Sequence, residues 1–104
     1  MAAGDIRAME DVRLYTVVLG DEVDAHDLDL TDLGEGTALA ARHLLVNSSL
    51  PQSRLYHEIK WRLPADTPLF VGELAITPKM KGQAPGSVAW VREVVELNGM
   101  FETD

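Results

Sequence analysis

No cysteine occurs in the 104-residue chain. Disulfide frameworks, thiolate metal sites, thioredoxin-like chemistry and cysteine nucleophiles are thereby excluded. No window approaches the run of about eighteen apolar residues that a membrane-spanning helix needs, so no membrane association is expected. The opening stretch from Met1 to Asp11 carries acids where a signal peptide requires a basic end and an apolar run, and a cytoplasmic location is expected. Internal repeats, linkers and low-complexity tracts are missing as well. A chain of this length builds one hydrophobic core and reads as a single domain over 1–104, with 1–10 as a fraying terminus.

Basic residues are scarce in the first half. Residues 1–52 hold ten acids against Arg7, Arg13 and Arg42, whereas residues 53–104 hold seven acids against six bases, within a net charge of −8. A field of that sign repels phosphate backbones, which argues against nucleic-acid binding and favours a basic protein partner; it also keeps a small protein in solution. What is present in quantity is apolar side chains, 46% of the residues against 25% charged, the balance of a folded globular domain.

Val12-Arg-Leu-Tyr-Thr-Val-Val-Leu19 is β-branched and aromatic, and its last six residues are nearly all apolar, the pattern of a strand covered on both faces inside a sheet. Asp21 to Glu35 carries seven acids, with Asp27 to Thr31 readable as a minor edge strand or an extended loop. Asp32 and Glu35 have the form of a capping box, and the alanine-rich run Thr37 to Asn47 reads as a first helix. Arg54 to Leu63 alternates, with Leu55, His57, Ile59, Trp61 and Leu63 facing one way, and predicts a second strand. Beyond Pro64 and Pro68, Leu69 to Ile76 predicts a third, joined to the second as a hairpin in which Lys60 faces Glu73. Ser87 is placed to cap a second helix over Val88 to Leu97, stopped by Asn98-Gly99; a strand is the alternative for that β-branched span.

These elements predict an α+β fold: a small open sheet of three to four strands in β-α-β-β-α order with two helices on one face. The arrangement is close to a ferredoxin-like split unit missing its last strand, of which Met100-Phe101 would be a stub.

Chemical motifs are few. The acidic stretch fails the spacing of a calcium loop, and His26, His43 and His57 fall on separate elements without a zinc-binding partner nearby, so no metal or cofactor is expected. His57, on the apolar face of the expected strand, reads more simply as a paired core imidazole than as a catalytic base, and His43 as a cation at a helix end. Ser48, Ser49, Ser53 and Ser87 lack a nucleophile elbow, and there is no phosphate-binding glycine loop. Lys79 and Lys81 sit in a glycine-containing loop that would suit a small anion but reads more simply as a solvated turn. Asn47-Ser-Ser49 matches a glycosylation sequon, of little weight without a secretion signal.

With both helices on one face, the other face of the sheet would be left open and half apolar, with Tyr15, Val17, Tyr56, Leu69 and Val71 as its contact residues. The expected function is therefore a non-enzymatic binding protein that dimerises or docks a basic protein partner through this face. The alternative is a small ligand-binding protein or enzyme with a pocket near His57, Tyr56 and Trp61, and Lys79 or Lys81 contributing.

Overall fold

The computed structural model describes residues 12–20 and 23–100. Strand β1, Arg13–Leu19, is the interior strand its sequence predicts. It pairs antiparallel on one side with β3, His43–Ser48, and on the other with β4, Leu69–Glu73, while β2, Glu35–Ala40, pairs outside β3. The resulting sheet is open, four-stranded and antiparallel, in the order β2-β3-β1-β4. Helix α1, Gln52–Lys60, and helix α2, Ser87–Asn98, complete an α+β fold of the expected class. Along the chain the order is β-β-β-α-β-α, and the second and third strands appear where the first helix was expected. The expected fraying of 1–10 and the residue Phe101 lie outside the described residues.

The two helices do not share a face, which departs from the one-sided packing of a ferredoxin-like unit. Alternation in β1 sends Tyr15, Val17 and Leu19 to one side, where Leu44 and Val46 of β3 and Leu55 and Ile59 of α1 join them in one core. Leu14, Leu39 and Leu45 point to the other side and meet Val91, Val94 and Val95 of α2 in a second core. The sheet is thus a layer between helices, which is why its central strands read as nearly continuous apolar runs.

Residues 37–47 form the β2-β3 hairpin rather than a helix. Alanine favours the helix locally, but Leu44, Leu45 and Val46 are buried on alternate faces of the sheet, which a helix in this position would not achieve. The turn at Ala41-Arg42 has no glycine or asparagine to announce it. It is held from outside: the Arg42 carbonyl accepts from the Leu19 amide and the Ala41 carbonyl from the Ala25 amide. Asp32 and Glu35 form no capping box, since Arg62 grips Asp32 through two 2.6 Å hydrogen bonds and Glu35 opens β2.

The segment expected as the second strand is α1. Its apolar residues at 55, 59 and 63 satisfy a helical spacing of four as well as a strand alternation. Leu55 and Ile59 are fully buried while Trp61 is 67% exposed, so the helical period is the one that packs. The hairpin expected between this segment and β4 is consequently absent, and Glu73 faces Tyr15 of β1 rather than Lys60. In α2 the helix is as expected and ends at Gly99, whose positive φ of 66° terminates the ladder as a left-handed C-cap. Its N-cap is Gly86 rather than Ser87, whose hydroxyl donates back to the Ala84 carbonyl.

Leu55→Ala and Ile59→Ala are each expected to lower the unfolding free energy by about 2–5 kcal/mol. Trp61→Ala should stay within about 0.5 kcal/mol. Urea denaturation of the three variants checks this; equal losses at all three positions would return the segment to a strand.

Candidate functional site

The second face of the sheet is only partly roofed. Helix α2 lies over Leu14, Leu39 and Leu45, and among the described residues no helix covers the part built by Thr16 and Val18 of β1, His43 of β3, and Phe70 and Gly72 of β4. Pairing fixes their layout: Val18 stands between His43 and Phe70, and Thr16 between Leu45 and Gly72. Val18 is 40% exposed and Phe70 60% exposed, large values for side chains at the middle and edge of a sheet. The Phe70 ring folds back over Gly72, where a Cβ would stand 3.4 Å from Phe70 Cε1.

Two polar atoms of this patch pair with each other. His43 Nε2 and Thr16 Oγ1 are 2.6 Å apart across the β1-β3 pair. Burial holds the His43 imidazole below its ordinary pKa, which favours the neutral ring and leaves the patch lined by uncharged side chains. The patch is an apolar strip with one internal polar contact.

The residues expected to form the open face lie on the covered one. Tyr15 and Val17 are fully buried beneath α1, and Leu69 and Val71 pack half-buried against the same core. Tyr15 donates its hydroxyl to the Leu50 carbonyl at 2.7 Å, and burial raises its phenol pKa. Tyr56 is on α1, its ring edge-on to His57 at 5.3 Å. The expected open face and the observed one are opposite sides of the same strands, because the misread helix and strand assigned the cover to the wrong side. Val18 and Phe70 were accessible to the same alternation once that cover is reversed.

The residues of the ligand-binding alternative are not brought together. His57 and Trp61 are neighbours on α1, ring centroids 5.9 Å apart, with His57 Nδ1 2.8 Å from the Ser53 carbonyl. Lys79 and Lys81 belong to the loop before α2, where Met80 packs into the core on the opposite side of the sheet. A cleft of about 310 Å³ does open beside Gly34, Asn47 and Ser48, but its buried polar groups are already engaged. Asn47 exchanges amide hydrogen bonds with Asn98, and Ser48 donates to the Leu33 carbonyl and accepts from the Leu50 amide.

In the acidic segment, Asp24 accepts from the His26 amide to cap a short 3-10 turn over Ala25–Asp27, Asp29 holds Thr31, and Asp32 pairs with Arg62. Each of these contacts lowers the carboxyl pKa of its aspartate. No group of three or more metal-ligating side chains occurs among the described residues, and no helix among them is long and apolar enough to cross a membrane. Compared with known protein families, curated proteins and solved structures, the chain matches none.

The His43 imidazole gives a pH signature with a definite sign. The unfolded ring takes up its proton near pH 6.5, the folded ring only at lower pH. The unfolded state therefore binds more protons in that window, and stability falls as the pH drops through 6.5 toward the folded value. The wild-type protein should lose stability to urea between pH 7 and pH 5, and His43→Gln should reduce that loss; an unchanged slope in the variant would disconnect it from His43. The paired aspartates act only in the lower, carboxylate range, so the two contributions separate.

Proposed function

We propose that this protein is a non-enzymatic interaction module, acting in the cytoplasm, that self-associates through the unroofed part of its second sheet face. The observation that carries the reading is the exposure of Phe70 and Val18 side by side in a sheet whose other large apolar side chains are buried or half-buried. Removing this strip from water is favourable, and the contact between His43 Nε2 and Thr16 Oγ1 already pairs two of its polar atoms.

A second copy suits the patch better than a basic partner does. The described strip carries no carboxylate, while Asp24, Asp29 and Asp32 of the acidic segment are held by local contacts outside it. An uncharged apolar strip is compatible with itself even in a chain of net charge −8, because repulsion between exposed charges is screened over about 8 Å at physiological salt.

Light scattering across a concentration series from micromolar upward tests the proposal. The wild-type chain should approach twice its monomer mass, and Phe70→Asp or Val18→Asp should weaken association by at least about tenfold without unfolding the chain. A wild-type protein that stays monomeric throughout overturns the reading.

A further inference from the structure

We infer that two copies join through their β4 strands, antiparallel about a two-fold axis at Phe70, to form one continuous eight-stranded sheet. The inference rests on the self-association reading and specifies its geometry.

The backbone of β4 supplies the reason. The Gly20 amide donates to the Pro68 carbonyl at 2.9 Å, and the Leu74 amide donates to the Leu14 carbonyl at 2.8 Å. An antiparallel ladder alternates, so the even-numbered residues of this stretch bond to β1 while Leu69, Val71 and Glu73 turn their N–H and C=O groups to the outer edge. No strand among the described residues pairs with that edge. Glu73 is partly engaged, its amide donating to Gln52 Oε1 at 3.0 Å. Leu69 and Val71 remain, presenting two donors and two acceptors.

The opposite edge of the sheet is protected. Strand β2 carries a register shift between Ala38 and Ala40, and the Leu39 carbonyl accepts from the Ala84 amide of the loop before α2. Bulges and covering loops are the usual means of blocking edge-to-edge pairing. Strand β4, Leu-Phe-Val-Gly-Glu, has neither a bulge nor an internal proline or lysine.

The register follows from which groups are free. With the axis at Phe70, Leu69 of one copy faces Val71 of the second copy and the reverse, making four hydrogen bonds and leaving the Glu73 amide with Gln52. Phe70 then faces its own counterpart at a non-hydrogen-bonded position, where cross-strand side chains approach most closely. Both rings lie on the unroofed face, so one contact buries the most exposed apolar side chain of the patch. The two Glu73 side chains end up about six residue steps apart, roughly 20 Å, beyond effective repulsion. Edge pairing also adds backbone contact to a strip that is small for a stable interface by itself.

Val71→Pro isolates the seam. It deletes an outward-facing N–H and places a ring there while leaving the ladder to β1 intact, the one setting in which a strand tolerates proline. Light scattering should show weakened or lost pairing, with at least tenfold poorer association than wild type at unchanged circular dichroism. A Val71→Pro protein that dimerises as tightly as wild type, while Phe70→Asp does not, overturns edge pairing and leaves face association standing; a monomeric wild type removes both. Should Val71→Pro fail to fold, amide exchange of the wild-type chain decides. The Leu69 and Val71 amides should become protected as concentration rises, and rapid exchange of both in a demonstrated dimer would overturn the seam.

Discussion

Strand β1 is the constraint on which the rest of the structure depends. It is hydrogen-bonded on both sides, to β3 and to β4, and its side chains enter both cores: Tyr15 and Val17 under α1, Leu14 under α2. A strand so placed has no free edge and little free face. Its register determines that of its neighbours, because a one-residue slip would exchange the buried and exposed sets on both faces at once. The Tyr15 hydroxyl reaching the Leu50 carbonyl extends that control to the entry of α1, and the Leu19 amide bonding Arg42 extends it to the β2-β3 turn.

What the sequence made legible tracks how local the deciding interactions are. Strand β1 and helix α2 could be read because their patterns agree with their environment: an apolar run for an interior strand, and a 3.6-residue period closed by Gly99 for the helix. The β2-β3 hairpin was not legible, since its turn has no characteristic residues and is held by amides of Leu19 and Ala25, distant in sequence. Helix α1 was ambiguous in principle, because apolar residues at 55, 59 and 63 serve both periods and only the burial of Leu55 and Ile59 beside an exposed Trp61 chooses between them.

Those two errors moved together and carried the candidate site with them. A helix read at 37–47 and a strand read at 54–63 still leave two helices beside a small open sheet, and hence the fold class, while changing which side of the sheet is covered. The alternation within β1 and β4 was read correctly throughout, and it separates Tyr15, Val17, Leu69 and Val71 from Val18 and Phe70. Only the position of α1 decides which of these two sets meets solvent.

The unequal cover of the two faces has a geometric origin. A helix with its side chains is about 10 Å wide, so one helix spans roughly two strands at their spacing of about 4.8 Å. Four strands therefore need two helices per face or some other cover. On the first face α1 has only nine residues, but Ala25 and Leu30 from the acidic segment, with Val23, Leu28 and Leu33 packed around them, fill the remaining width. That places the most highly charged stretch of the chain in a structural role, its leucines turned inward while Asp32 ties it to Arg62. On the second face α2 lies over β2, β3 and one end of β1, with only Met80 and the turns around Leu74 and Met100 to extend it. No equivalent loop reaches Val18 and Phe70 among the described residues, and the strip left over lies against the edge strand whose backbone is free to pair. An uncovered apolar face and an unpaired edge meeting at one strand is a combination that isolated domains usually avoid, and both are removed by the same partner if that partner is the strand itself.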